Sequence, residues 1–218
     1  MKIQVGKQSI KMLEQLKNEI TKYGKLAGEK GYTPGISGNI SAGYGENVVI
    51  TSSGSANGYL EDSEFSVIDF DGNYVSGNPK PSSEKFLHLE FYKKRADINY
   101  IMHVHSPYLT AFAARGVALE DAISPEIVYC FSKIPLAKYA LPGSNELVEK
   151  TAIYFEDYDI VLLENHGVIV GGATMKQAYL NLELVEEYAK TIICAKILGG
   201  AKILPEEEVK KIYSLKQK

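Results

Sequence analysis

The chain of 218 residues has few cysteines, few histidines and little net charge. Its two cysteines, Cys130 and Cys194, lie far apart in apolar surroundings, which favours buried thiols over a disulfide. The formal net charge is only −3, so there is no electrostatic reason to expect a nucleic-acid partner.

Long apolar runs are also missing. No stretch approaches the roughly 20 apolar residues that cross a bilayer, and the first residues, MKIQVGKQSIKML, contain no apolar core of signal-peptide length. We therefore expect no membrane partner and a cytoplasmic location. The chain shows neither internal repeats nor a Pro- or Ser-rich linker, so residues 1–218 are predicted to form a single domain.

Helix and strand patterns mix along the whole chain. Apolar residues at steps of three and four predict a first helix from Gly6 to Lys30, and β-branched runs predict strands at NVVIT, INYIMHVH and on both sides of ENHG. FSVIDFDGNYVSG predicts two short strands around an Asp71-Gly72 turn. Further helices are expected after PSSE, with serine N-caps, from SPYL to Gly116, and from the capping box TMKQ to Gly199-Gly200. This mixture favours a layered α/β architecture.

Two of the four histidines stand two residues apart in the predicted strand NYIMHVH. Residues i and i+2 of a strand point to the same face, so His103 and His105 could chelate one ion, although two polar rings on a solvated face fit the pattern equally well. His166 follows another apolar strand, at a turn whose positive φ Gly167 would permit; a capped turn histidine is the alternative. Three strand-end imidazoles with an open fourth position are typical of a catalytic zinc site.

The fourth histidine, His88, lies four residues after Glu84 in the predicted helix SSEKFLHLEF. This spacing could hold a metal, but we favour a packed or hydrogen-bonded position for His88. The Glu84 carboxylate could serve as a fourth metal ligand or as a base. Acids are favoured in the first turn of any helix, by roughly 0.3–1 kcal/mol, so helix electrostatics alone could also explain Glu84.

Three short segments rich in glycine and serine are suited to an anion. GISGNIS offers backbone amides together with the Ser37 and Asn39 side chains, ITSSG offers hydroxyls and the Gly54 amide, and PSSE sets two hydroxyls at a helix N-terminus. Each segment alone is equally well explained as a turn.

Taken in order, SGNIS, ITSSG, KPSSE, HVH and ENHG resemble the class II aldolase and adducin-head family, the group of fuculose-phosphate aldolases and ribulose-phosphate 4-epimerases. YALPGSNEL is similar to a helix entry of the family, and the resemblance runs from about Leu13 to Leu198. It implies one three-layer α/β/α domain with a mixed, mostly antiparallel central sheet. It also implies a homotetramer with its sites at subunit interfaces.

The resemblance assigns roles to particular residues. His103, His105 and His166 would be ligands of a Zn²⁺ ion in each subunit, and Glu84 would both ligate the zinc and move the proton. The implied phosphate-binding positions are Gly38, Asn39, Ser53, Gly54, Ser82 and Ser83. The implied activity is cleavage of a small ketose 1-phosphate, fuculose 1-phosphate-like, to dihydroxyacetone phosphate and an aldehyde.

The segment that sees the aldehyde departs from the family. Fuculose-phosphate aldolases use tyrosines there, whereas EDAISPEIVYC offers Glu126 and Tyr129 as nearby polar residues, and Tyr213 does not align. A pentulose-phosphate 4-epimerase is therefore an alternative, as is a methylthioribulose-1-phosphate dehydratase with Glu126 as base. A non-enzymatic, adducin-like interaction domain is a third, disfavoured by the complete histidine set.

Overall fold

The computed structural model describes residues 2–215, and side chains from residue 9 onward. In that range the chain forms seven α-helices and eight β-strands. The helices are α1 (Lys2–Glu29), α2 (Lys85–Lys94), α3 (Pro107–Arg115), α4 (Pro125–Phe131), α5 (Asn145–Ala152), α6 (Met175–Ile197) and α7 (Glu206–Leu215). The strands are β1 (Asn39–Tyr44), β2 (Asn47–Thr51), β3 (Phe65–Asp69), β4 (Tyr74–Gly77), β5 (Tyr100–Val104), β6 (Leu136–Ala137), β7 (Ile160–Leu163) and β8 (Gly167–Gly172).

The strands of the described residues join one sheet in the order β4-β3-β2-β1-β5-β8-β7-β6. Neighbouring strands run antiparallel, except for β6 and β7, which are parallel. This confirms the predicted mixed, mostly antiparallel sheet. The central pair β1 and β5 is in a register that places Asn39 opposite His103.

Helices cover both faces of the sheet because its strands send apolar side chains alternately to each side. On β2, Val49 belongs to the core shared with α1, α3 and α6, whereas Val48 and Ile50 belong to the core shared with α2 and α5. The result is the expected α/β/α layering. Among residues 2–215, no helix is long and apolar enough to cross a membrane.

The ends of the helices correct two predictions. Helix α2 has Glu84 as its N-cap, without a side-chain capping bond, so serine N-caps are wrong. Ser82 instead donates its backbone N–H to Thr51 O, which draws the segment towards the end of β2. At α6, Thr174 caps the N–H of Gln177 as predicted, but the Gln177 side chain accepts from Ala173 N, so only half of the capping box forms.

Burial of the cysteines is also predicted wrongly. Cys130 in α4 and Cys194 in α6 are both exposed. Two residues along a helix correspond to about 200° of rotation, so Cys194 faces away from the core that its neighbour Ile192 enters. Apolar neighbours in sequence are therefore poor evidence of burial in a helix.

Candidate active site

Three imidazole rings meet where the central strand β5 ends and β8 begins. His103 lies in β5, His105 follows that strand, and His166 lies in the turn between β7 and β8. Because β5 and β8 are antiparallel, the end of β5 adjoins the start of β8. His103 Nε2 lies 3.1 Å from His105 Nε2 and 3.3 Å from His166 Nε2. A possible ligand atom from each histidine lies within 4.8 Å of the other two.

The turn that carries His166 differs from the expected one. The positive φ falls on Asn165 (57°) and not on Gly167. Gly167 is needed for space, since a Cβ there would lie 2.5 Å from Val104 O and 2.7 Å from His105 Cδ2. The lack of a side chain at Gly167 therefore lets two of the histidine-bearing segments approach each other.

The protonation of the His103 ring is set by the main chain. His103 Nδ1 lies 3.0 Å from Val168 O. A carbonyl oxygen can only accept, so Nδ1 carries the hydrogen and donates it. The lone pair of the neutral ring is then on Nε2, which faces the other two histidines, as a metal ligand requires.

Glu84 reaches the histidines from the start of α2. Its Oε2 lies 3.2 Å from His103 Nε2, and its Oε1 lies 3.5 Å from His166 Nε2. Asn39 Nδ2 donates to Glu84 Oε2 at 3.0 Å. The Glu84 side chain is buried, so this carboxylate is held against the three rings.

Charges within the site set its protonation near neutral pH. Burial acts to raise the pKa of Glu84, but the charge of His103 and the hydrogen bond to it bring that pKa far below the ordinary carboxyl range. Burial acts to lower the pKa of His103, but the Glu84 carboxylate raises it above its usual value. Burial, followed by the charge of His103, lowers the pKa values of His105 and His166 to about 4. His105 and His166 are therefore neutral and Glu84 is ionised.

These residues fit a divalent cation. Three convergent imidazoles and a carboxylate, without a thiolate, are the donor types of catalytic zinc sites. Glu84 Oε1, which faces His166, is buried and has no hydrogen-bond partner among the described residues. His103, His105, His166 and Glu84 thus form a candidate metal centre.

Two of the three glycine- and serine-containing segments lie next to each other beside Glu84. Ser82 Oγ accepts a hydrogen bond from Glu84 N at 3.2 Å. Ser53 N donates to Lys80 O at 2.9 Å, which ties the segment after β2 to the one before α2. Ser53 and Ser83 are exposed, as is Gly54, whereas Ser82 is buried.

The third segment passes directly against β5. Gly38 has a φ of 74°, and a Cβ on it would lie 2.3 Å from His103 O. The next residue, Asn39, holds Glu84. The hydrogen bonds therefore place Asn39 and Ser82 against Glu84 at the start of α2, and Ser53 against Lys80. Gly38, Gly54 and Ser83 are the chain neighbours of Asn39, Ser53 and Ser82.

His88 occupies the packed position that we favoured. It is fully buried, and its Nδ1 lies 2.7 Å from Ser41 Oγ, which is also 2.7 Å from the Tyr92 hydroxyl. Burial, with the charge of His103 as the next cause, lowers the pKa of His88 to about 3.

The candidates for the aldehyde side are spread over the surface. Glu126 is exposed and accepts a hydrogen bond from Ser124 Oγ at 2.7 Å, and Tyr129 is exposed as well. Tyr213 lines a cavity with Arg95 and Asp159. That cavity adjoins the start of β7, whereas His166 follows the end of β7, so Tyr213 does not join the histidines within this chain.

Sequence reasoning missed Glu186 of α6. This buried carboxylate accepts hydrogen bonds from Ser106 Oγ (2.7 Å), Tyr108 N (2.8 Å) and Leu109 N (2.9 Å) at the start of α3, directly after His105. An acid beside Val185, on the apolar face of the predicted helix, was the available signal.

Comparison with known proteins gives the family of this chain. The model of the Class II Aldolase and Adducin N-terminal domain matches residues 18–193. The chain therefore belongs to the class II aldolase and adducin N-terminal domain family, which is metal-dependent in its aldolase members.

Particular relatives carry two kinds of activity. A 5-deoxy-D-ribulose 1-phosphate aldolase of Bacillus thuringiensis is 34% identical over 92% of this chain and 95% of its own length. A 3-oxo-tetronate 4-phosphate decarboxylase of Pectobacterium atrosepticum is 34% identical over 89% of this chain and 90% of its own. The solved structure of an L-fuculose 1-phosphate aldolase superposes with a TM-score of 0.86 at 34% identity, covering 94% of this chain and 97% of that one.

Proposed function

We propose that the protein is a zinc-dependent aldolase that cleaves a small ketose 1-phosphate to dihydroxyacetone phosphate and an aldehyde. The observation that carries the proposal is the convergence of His103, His105 and His166 with the Glu84 carboxylate. Support comes from relatives that are themselves named as aldolases of sugar 1-phosphates.

The metal would be held by His103, His105, His166 and Glu84. When bound, a divalent cation supplies a positive charge that stabilises negative charge developing on the oxygens of the substrate. Neutral imidazoles leave that charge undiminished, which a thiolate would not. His105 and His166 are neutral near pH 7 because their pKa values lie at about 4.

Glu84 is the proposed proton carrier. Its low pKa keeps it ionised near neutral pH, so it can accept a proton from the substrate and return it to the carbon that loses the aldehyde. Asn39 orients this carboxylate through the hydrogen bond to Oε2. Glu84 would therefore both hold the metal and move the proton.

The phosphate would be bound by Gly38, Asn39, Ser53, Gly54, Ser82 and Ser83. Backbone N–H groups at glycine turns and at the start of α2 favour an anion without a large basic residue. The exposure of Ser53, Gly54 and Ser83 beside the buried Glu84 supports this assignment, because an incoming phosphate can reach them.

Assembly and location are part of the same proposal. We infer a single domain that forms a homotetramer with sites at subunit interfaces, and a cytoplasmic protein. Light scattering on the purified protein measures the assembly directly.

A decarboxylase of a 3-oxo acid phosphate is the second candidate. The relative from Pectobacterium atrosepticum aligns over 89% of this chain, and loss of carbon dioxide beside a carbonyl group also leaves a negative charge, which a cation held by the same residues would stabilise. An epimerase or a dehydratase would need a further acid or base. Glu126 suits that role less well, because it is exposed on α4 and its hydrogen bond is to Ser124 of its own segment, whereas Glu84 lies against the histidines.

Product analysis decides between these reactions. The purified protein is incubated with ketose 1-phosphates and a 3-oxo-tetronate 4-phosphate, and release of dihydroxyacetone phosphate, carbon dioxide and water is measured. We expect dihydroxyacetone phosphate from a ketose 1-phosphate, and about one zinc per chain by metal analysis. Loss of carbon dioxide from the 3-oxo-tetronate 4-phosphate also leaves dihydroxyacetone phosphate, so the aldolase is recognised by an aldehyde formed together with dihydroxyacetone phosphate from a ketose 1-phosphate. Carbon dioxide release or a dehydrated product, with no aldehyde from any ketose 1-phosphate, would refute the aldolase, and a metal-free, inactive protein would favour the interaction domain.

A further inference from the structure

A buried asparagine outside the proposed site holds one of its segments. Asn57, in a short 3₁₀ turn from Asn57 to Tyr59, is fully buried. Its Nδ2 donates to Ser37 O at 3.0 Å and to Gly38 O at 2.9 Å. Its Oδ1 has no hydrogen-bond partner among the described residues. The polar contribution of Asn57 is therefore its two donated hydrogen bonds.

Those two hydrogen bonds fix the path of the backbone. A peptide unit is planar, so holding two consecutive carbonyl groups fixes the orientation of the peptides that join Ser37 to Gly38 and Gly38 to Asn39. This segment touches the site on two sides. Gly38 lies against His103 O, and Asn39 holds Glu84.

Two glycines of α1 allow the turn of Asn57 to sit directly on that helix. A Cβ on Gly24 would lie 2.4 Å from Asn57 O, and a Cβ on Gly28 would lie 2.7 Å from Gly58 Cα. Glycine weakens the interior of a helix, so two of them facing one turn indicate a packing requirement. Contact with helix α1 thereby fixes the position of Asn57 relative to the Ser37–Asn39 segment.

We propose that Asn57, seated on Gly24 and Gly28 of α1, is a positioning residue that holds the Ser37–Asn39 segment in its phosphate-binding conformation. The inference rests on the proposed function, which assigns phosphate binding to Gly38 and Asn39. Asn57 itself touches neither the phosphate nor the metal. It acts through the backbone of the segment.

The test compares Asn57→Ala and Asn57→Asp with a matched control, Thr151→Val. Thr151 is also fully buried and donates to a backbone carbonyl, Leu147 O at 2.7 Å, inside α5. For each metal-loaded full-length protein, affinity for inorganic phosphate is measured by calorimetry, together with KM for dihydroxyacetone phosphate, kcat in aldol addition and metal content.

We expect Asn57→Ala to weaken phosphate binding and raise KM by about tenfold, the effect of losing one to two hydrogen bonds, with metal content unchanged. Asn57→Asp should weaken phosphate binding further and raise KM further, because its carboxylate repels the Ser37 and Gly38 carbonyl oxygens. Thr151→Val should bind phosphate as the wild type does. If the role of Asn57 is purely structural, Asn57→Ala should lower the free energy of unfolding as Thr151→Val does, and the KM for dihydroxyacetone phosphate should not change.

Two results would overturn the inference. Wild-type phosphate affinity in a folded Asn57→Ala protein overturns it while the proposed phosphate site stands. Absence of phosphate binding by the wild type overturns both. Where Asn57→Ala does not fold, Gly28→Ala is measured, since its Cβ displaces the turn without removing a polar group. Unchanged phosphate affinity in Gly28→Ala would equally overturn the inference.

Discussion

Two polar pairs join β1 to the start of α2. They have the same residue spacing, but their neighbours differ. The outer pair is Asn39 with Glu84, and the inner pair is Ser41 with His88, at hydrogen-bond distances of 3.0 and 2.7 Å. The strand members are two residues apart and the helix members four, so each set shares one face of its element. The spacing does not distinguish the pairs.

What surrounds each pair makes them different. The outer pair contacts His103 and His166 through Glu84. The inner pair is buried, and its Ser41 hydroxyl is hydrogen-bonded to the Tyr92 hydroxyl. His88 and His103 are both fully buried, yet the pKa of His88 falls to about 3 and that of His103 rises. At His103 the Glu84 carboxylate outweighs burial, whereas at His88, which is bound to Ser41, burial prevails.

The largest expected effect comes from removing the histidine beside the outer pair. His103→Ala should lose nearly all bound metal and activity, because His103 Nε2 is the donor that lies against His105, His166 and Glu84, and its removal leaves the remaining donors around a gap. Metal analysis after gel filtration and the aldolase assay measure this. His88→Ala is the matched control and should keep the metal; full metal retention in His103→Ala would contradict the ligand assignment.

The second test removes the proton-accepting carboxylate of the outer pair and keeps its hydrogen bond to Asn39. Glu84→Gln can still accept from Asn39 but cannot take a proton, so kcat should fall by about 10²–10⁴-fold. A kcat near the wild-type value would show that another group moves the proton.

Removing the inner pair should affect stability and spare the site. His88→Ala leaves a cavity in the buried interior and removes one of the two hydrogen bonds of the Ser41 hydroxyl, so the free energy of unfolding should fall by about 2–4 kcal/mol. Urea denaturation measures the loss. Ser41→Ala should cost less, and loss of metal at unchanged stability would show that His88 belongs to the site.

A smaller effect is expected on the pH dependence of the free energy of unfolding, through His88 of the inner pair. His88 titrates near 6.5 when unfolded but at about 3 when folded, so its contribution to stability is present above pH 6.5 and is lost as the pH falls. Between pH 6.5 and 4.5, metal-free wild type should lose about 2 kcal/mol more than His88→Gln. Parallel pH profiles for the two proteins would contradict the lowered pKa.

The sequence predicts what local patterns encode. The hairpin of β3 and β4 around Gly72, the strand β5 and the end of α3 at Gly116 follow from alternation and turn residues. His103, His105 and Glu84 could be selected because strand period and helix position place them without knowledge of the tertiary fold.

Elements held by distant contacts escaped prediction. Strand β1 begins inside a glycine-rich segment that reads as a break, and it is a strand because β2 and β5 pair with it. The two-residue strand β6 exists through its pairing with β7. Asn57 shows no local pattern, since its role depends on carbonyl groups that lie 19 and 20 residues away.

The bond from His103 to Val168 O has a consequence for how this protein can change. The acceptor is a main-chain atom that every amino acid supplies, so substitution at position 168 leaves the hydrogen on the far side of the ring. Only a slip in the pairing of β5 with β8 would release it. The pairing register of β5 and β8 therefore keeps the lone pair of His103 on Nε2, and mutation of the Val168 side chain does not change it.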